Sequence, residues 1–200
     1  MAKPPDPWFI AIGASGSEGL ADIRELLAAL AQPVPAVVMV VLHRPSDRIS
    51  HLRAILARSC AMPVVVAEEA EELLPGTCYI GEPDGHLTLF ARNRAQLVGG
   101  AGHCLRNRTI DTLFGSLARH AGAQAIGVVL SGSLDDGSRG LAAIHAVRGV
   151  TMVLDPGLKP RGMQQNAIDH DGPISFIGTA PEIAATIGSV LGRQRPAAPA

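Results

Sequence analysis

The sequence predicts an α/β fold, a sheet with helices packed on both faces, and three observations carry that expectation. Uncharged apolar runs recur at 9–12, 34–42 and 125–130, the make-up of strands buried on both faces. After a short polar turn, each run leads into a stretch whose apolar residues return every three or four positions, as a helix packed along one side requires. Section 68–90 breaks this alternation with turn residues and short apolar runs, which predicts a small antiparallel hairpin section.

Taken in order, residues 1–7 carry Pro4, Pro5 and Pro7 and read as a mobile N-terminal tail ahead of a single domain over 8–192. The run Phe9-Ile10-Ala11-Ile12 is the first strand. It breaks into Gly13-Ala14-Ser15-Gly16-Ser17 and then enters a helix marked by Leu20, Ile23, Leu27 and Leu30. Residues 34–42 predict a central strand ending at His43-Arg44-Pro45. Ser46 or Asp47 then caps a helix to about Arg58, with Ile49, Leu52, Ile55 and Leu56 on its apolar face. Residues 63–66 are a third strand. Glu68, Glu69, Glu71 and Glu72 follow, and the turns Pro75-Gly76 and Pro83-Asp84-Gly85 bracket the runs 78–80 and 87–90 as hairpin arms.

Thr109 is placed to cap the next helix, which carries Ile110, Leu113, Phe114 and Leu117 and is closed by Gly122. Residues 125–130 run into Ser131-Gly132-Ser133-Leu134-Asp135-Asp136-Gly137 and a helix through Leu141, Ile144, His145 and Val147. This repeats the strand, turn and helix of the first unit. Strands follow at 151–154 and 174–177, and Thr179 with Glu182 forms a capping box for a last helix to about Leu191. Residues 193–200 read as a second mobile tail.

Composition narrows the function. Seventeen basic and eighteen acidic residues leave no excess for a phosphate backbone, and aromatics at 3% offer little for base stacking, so nucleic acid is not an expected partner. The three cysteines, Cys60, Cys78 and Cys104, have no CxxC spacing and suggest neither a disulfide framework nor a zinc ribbon, which fits a reducing cytoplasm. No apolar run reaches membrane-spanning length, so membrane insertion is not expected. HxH, HxxxH, GxGxxG and Walker motifs are absent, so no metal or cofactor is expected.

Three strand ends present Ser15, His43 and an aspartate of the pair Asp135-Asp136. This is the inventory of a serine hydrolase, in which an imidazole takes the hydroxyl proton, a carboxylate fixes the imidazole, and helix-start amides face an oxyanion. Simpler roles exist for each: a helix cap for Ser15, a packing residue for His43, a turn for Asp136-Gly137. His51, His120 and His145 lie in helical patterns, His86 in the hairpin section, and His103 and His170 in loops. The chain order Ser, His, Asp and the missing final glycine of the nucleophile elbow disfavour an ordinary lipase or esterase.

These residues resemble the chemotaxis protein-glutamate methylesterases, the CheB-type catalytic domains. The resemblance lies in Ile12-Gly13-Ala14-Ser15, Val40-Val41-Leu42-His43-Arg44-Pro45, Leu73-Leu74-Pro75-Gly76-Thr77-Cys78-Tyr79-Ile80, Pro83-Asp84 with His86-Leu87, and Val128-Val129-Leu130-Ser131-Gly132 with Asp136-Gly137. It continues through Gly162-Met163 and Ala167-Ile168 and spans about 8–192. It implies a doubly wound, mostly parallel sheet. It also implies a Ser-His-Asp triad that demethylates glutamate γ-methyl esters on the cytoplasmic helices of chemoreceptors, giving glutamate and methanol. Carried over, Ser15 is the nucleophile, His43 the general base and acid and Asp136 its orienting partner, with the backbone amides of Gly16 and Ser133 as oxyanion donors.

The departures lie near that chemistry. Gly16-Ser17-Glu18 stands where the family has a small residue and two glycines, and Leu134 replaces a glycine ahead of Asp136. Arg106-Asn107-Arg108-Thr109 and Gln164-Gln165 also differ from the family pattern. With no receiver domain ahead of residue 8, relief of inhibition by phosphorylation is not expected within this chain, which is either a fragment or a stand-alone relative. A separate receiver or kinase protein is then an expected partner. Two readings from other classes remain: a catalytically degenerate domain that binds signalling proteins, and a phosphate-binding module at the two helix starts.

Overall fold

A computed structural model describes residues 7–43, 51–82, 85–91, 93–99, 108–133, 135–158, 162–170 and 172–193. All but Pro7 of the first tail and all but Arg193 of the second lie outside these residues. Among the described residues, seven strands form one parallel sheet: β1 (Trp8–Ser15), β2 (Ala36–His43), β3 (Val64–Val66), β4 (Cys78–Ile80), β7 (Ala125–Val129), β8 (Val150–Leu154) and β9 (Phe176–Gly178). Their order is β3-β4-β2-β1-β7-β8-β9, so β1 lies at the middle with β2 on one side and β7 on the other. The chain builds outward from β1 first in one direction and then in the other. This creates a topological switch point at the carboxyl ends of the central strands, where open α/β sheets bind their ligands.

Side-chain alternation divides the core into two layers. Ile10, Ile12 and Ala14 of β1, with Val38, Val40 and Leu42 of β2, pack against α1 (Gly16–Ala29), α2 (Leu52–Ala57) and α6 (Ala180–Gly192). Phe9 and Ala11, with Val37 and Met39, face α3 (Thr109–His120), α4 (Ser138–Ala146) and α5 (Met163–Asp169). Helices therefore cover both faces, as the sequence predicts. The same alternation, continued to odd-numbered Ser15 and His43, turns both residues toward the α3 layer.

The section 68–90 differs from expectation. Residues 78–80 are not a hairpin arm: β4 is a parallel strand inserted between β3 and β2, with all three residues buried. Turn residues reverse the chain locally but leave the pairing partner to long-range packing, and a strand buried on both faces fits a parallel interior. The antiparallel pair is β5 (Gly85–Phe90) with β6 (Arg94–Gly99), and β6 has no counterpart among the expected strands. Leu87, Leu89 and Ala95 of this hairpin cover α3, and Leu89 donates its N–H to Ser116 Oγ at 2.9 Å.

Elsewhere the boundaries agree closely with expectation, except that β1 runs on through Gly13-Ala14-Ser15, residues expected in the turn but paired with β2. The described part of the second helix is Leu52–Ala57, while Ser46, Asp47 and Ile49 lie outside the described residues. The capping box holds: Glu182 N–H donates to Thr179 Oγ1, and Thr179 N–H donates to Glu182 Oε2 at 2.8 Å. Cys60 and Cys78 are buried free thiols, and Cys104 lies outside the described residues.

Candidate active site

Ser15 ends β1 and stands at the N-cap of α1 with extended backbone, φ −140° and ψ 142°. Its hydroxyl makes no capping bond. Among the described residues α1 has no side-chain cap, so its first amides keep the partial positive charge of a helix start. Gly16, at φ +72°, makes the turn that a residue with a side chain adopts only under strain. Glu18 is exposed in the first turn of α1, which keeps its carboxylate in solvent.

The loop after β7 is held against Ser15. Leu130 N–H donates to Gly13 O and Ser15 N–H to Ser131 O, each at 2.9 Å, which extends the parallel ladder past the last paired residue of β7. Asp22 of α1 accepts from Ser131 N–H at 3.4 Å. At Gly132 a side chain has no room, since a Cβ there would lie 2.7 Å from Ser15 Cβ and overlap Met163 Sδ. Met163 N–H in turn donates to Gly132 O at 2.8 Å, so the start of α5 braces the same loop. Ser133 follows as an exposed residue, and Leu134 lies outside the described residues.

His43 ends β2, directly in register with Ser15 and with no strand between them. Its Nε2 lies 2.7 Å from Asp136 Oδ2, the imidazole 14% exposed and the carboxylate fully buried. Asp136 Oδ2 also accepts from Ile110 N–H at 2.9 Å, and Oδ1 accepts from Asp111 N–H at 2.8 Å. The carboxylate therefore caps α3 from the neighbouring β7–α4 loop. This corrects the expected cap at Thr109, which is instead the first helical residue, with a buried hydroxyl that makes no hydrogen bond among the described residues. Because an ionised carboxylate only accepts, the short contact is a donation from Nε2, and in the neutral imidazole this leaves Nδ1 as the accepting nitrogen. Among the described residues Ser15 Oγ makes no hydrogen bond to His43.

Asp111 is the residue that sequence reading missed. Its Oδ1 accepts from Gly140 N–H at 2.7 Å and Gly137 N–H at 3.0 Å, closing the start of α4. Burial pushes its carboxyl pKa up, and the nearby Asp136 adds to the rise against the opposing amides and Arg139. The available signal, an acidic residue in a helix's first turn, does not distinguish this role from ordinary dipole matching.

The remaining candidates are peripheral. Asp135 is exposed, and Gln164 is buried in the first turn of α5, whereas Gln165 is paired on the surface with Asp169. His86 is buried in β5, His120 packs edge-on against Phe90, His51 and His145 are exposed, and His103, Arg106 and Asn107 lie outside the described residues. Among the described residues no group of three or more His, Cys, Asp or Glu could hold a metal ion, and no helix is long and apolar enough to cross a membrane.

Comparison with known proteins gives this geometry a context. Residues 10–187 match the family described as CheB methylesterase. The protein-glutamate methylesterase/protein-glutamine glutaminase of group 3 operon from Cereibacter sphaeroides is 34% identical over 182 residues, covering 86% of this chain and 48% of its own length. The protein-glutamate methylesterase/protein-glutamine glutaminase of Salmonella typhimurium is 33% identical over 168 residues, covering 82% of this chain and 48% of its own. The chain thus spans about half the length of the curated relatives it matches. The catalytic domain of Thermotoga maritima CheB methylesterase has the same fold, with a TM-score of 0.82, 24% identity, and coverage of 92% of this chain and 98% of that one. From inside β1 into α6, and at a third of its residues in these relatives, the chain belongs to the CheB methylesterase family.

Proposed function

We propose that this domain is a serine carboxyl-ester hydrolase acting on glutamate γ-methyl esters of chemoreceptor cytoplasmic helices, with Ser15, His43 and Asp136 as its triad. The observation that carries the proposal is the His43–Asp136 pair at 2.7 Å, set in register beside a serine whose hydroxyl is not used as a helix cap.

In this mechanism Ser15 Oγ attacks the ester carbonyl carbon and its proton passes to His43 Nδ1. The N–H groups of Gly16 and Ser133 face the oxygen that gains charge, and one well-aimed donor of this kind contributes about 10² to 10³ in rate. Collapse breaks the bond to the methoxy oxygen, which leaves as methanol with the proton from His43. Water, deprotonated by His43, then attacks the acyl-serine and releases glutamate and free Ser15. Asp136 holds the imidazole and stabilises its charged form throughout. Every step uses side chains and backbone amides of this chain.

The paired names of the relatives support a second use of the same site, deamidation of protein glutamine. The acyl-serine would be identical and the leaving group ammonia. In this reading the protein works in the cytoplasm, beside receptor helices and a receiver or kinase protein. Binding without turnover has less support, because Glu18 is exposed rather than turned toward the oxyanion position.

The test is methanol release from methylated receptor. Ser15→Ala should abolish it, and a fluorophosphonate should label the wild-type serine alone. Equal release by that variant would remove Ser15 from the mechanism. Receptor capture with neither release nor labelling would favour the binding-only domain.

A further inference from the structure

Asp136 and Asp111 hold each other's helices. The side chain of Asp136 accepts from Ile110 and Asp111 in the first turn of α3, while the side chain of Asp111 accepts from Gly137, the N-cap residue of α4, and from Gly140 in its first turn. Gly137 is the residue bonded to Asp136, so the second pair of bonds fixes the peptide that carries the first. The two carboxylates and two helix starts form a closed ring, and one oxygen of that ring, Asp136 Oδ2, also meets His43. Without Asp111, Asp136 would be tied to α3 by its side chain alone, the same side chain that must orient the imidazole.

We infer that Asp111 is a positioning residue for the general base, acting through the Gly137 peptide to keep Asp136 Oδ2 on His43 Nε2. The inference rests on the triad reading above for its effect on rate, but not for its effect on the His43–Asp136 pair. Among the described residues, the charged groups that act on Asp111 are Asp136, ahead of α4, and Arg139 of α4. Two carboxylates are tolerated side by side because each faces the positive end of a helix. The hydrogen-bond geometry sets the part of Asp111 that matters: an acceptor oxygen toward two amides.

The experiment compares Asp111→Ala and Asp111→Asn in the whole chain. A shift of the catalytic groups by about an ångström lowers turnover on the order of 10²-fold, so Asp111→Ala should reduce kcat about 10- to 100-fold with KM nearly unchanged. Asp111→Asn keeps an acceptor oxygen and should restore most of that loss. Imidazole ¹⁵N spectra give a readout independent of turnover. His43 should show the Nε2-protonated form in the wild type and in Asp111→Asn, and an exchange-averaged mixture of tautomers in Asp111→Ala. Should Asp111→Ala not fold, Asp111→Ser, whose acceptor is shorter, should fall between wild type and that loss in both readouts.

An unchanged His43 spectrum and unchanged kcat in the alanine or serine variant would overturn the inference, as would equal kcat losses in the alanine and asparagine variants with the spectrum intact. An inactive wild type whose His43 spectrum still responds to Asp111→Ala would instead overturn the esterase reading and leave the positioning role standing.

Discussion

Two strand-to-helix crossings lie side by side at the middle of the sheet, and the chain finishes them in opposite ways. At the β1–α1 crossing the helix start has no side-chain cap, and Ser15 keeps its hydroxyl free of it. At the β7–α4 crossing Asp111 occupies the amides of Gly137 and Gly140, and Asp136 does the same for the neighbouring start of α3. A helix N-terminus attracts negative charge wherever it is placed. Here the starts of α3 and α4 are filled with the protein's own carboxylates, and the start beside the proposed nucleophile has no side-chain cap, which in the proposed mechanism leaves it for a charge that appears during reaction.

The comparison breaks most readily at Asp136. Asp136→Ala removes the His43 partner and both acceptor contacts to α3, so ester hydrolysis should fall by about 10⁴ and stability by about 1–3 kcal/mol. Rate assays and urea unfolding read the two losses. A loss of rate with undiminished stability would mean that the carboxylate does not serve as the cap. Ser15→Asp tests the open side by giving α1 the carboxylate it lacks. Activity should vanish while stability rises by about 0.3–1 kcal/mol, and a fall in stability would show that the start of α1 is not electrostatically open.

Thr179→Ala probes a helix start remote from the site and supplies the baseline. The Thr179 Oγ1 contact to Glu182 N–H is long, 3.4 Å, so the cost should be near the low end for caps, about 0.5 kcal/mol, with hydrolysis unchanged. The hydrogen bonds from the Thr179 backbone and side chain hold the Glu182 carboxyl below its ordinary pKa. A lowered folded-state value means that the stabilisation is present above the usual glutamate range and is lost as pH falls through the folded pKa. Urea unfolding at several pH values should therefore show the wild type losing its small advantage over the variant on acidification.

Much of this architecture was readable from local chemistry. The β-branched runs that became β1, β2 and β7 are long and uncharged, so burial on both faces could be inferred without knowing their neighbours. The positions of Ser15, His43 and Asp136 at strand ends followed from those runs. What escaped was set at a distance. Residues 78–80 look like a hairpin arm because turn residues flank them, yet their partners are Val64–Val66 and the strand of Val38 to Val40. β6 alternates Arg94 and Gln96 with buried Ala95, a pattern too short and polar to stand out. Thr109 has the right identity for a cap, but a carboxylate from beyond β7 had already taken the place, and no local pattern announces an interaction across 25 residues of sequence. Asp111 was invisible for the same reason.

The central place of β1 also orders events in time. His43 and Asp136 are 93 residues apart in sequence, and the loop carrying Asp136 is secured only when β7 has paired with β1. Long-range pairings of this kind form late, because the intervening chain must be closed before any contact rewards it. During synthesis Ser15 and His43 emerge well before Asp136 does, so in the proposed mechanism the half-made chain carries a serine that nothing activates. In the proposed mechanism, hydrolysis can therefore begin only after the sheet has closed on both sides of β1.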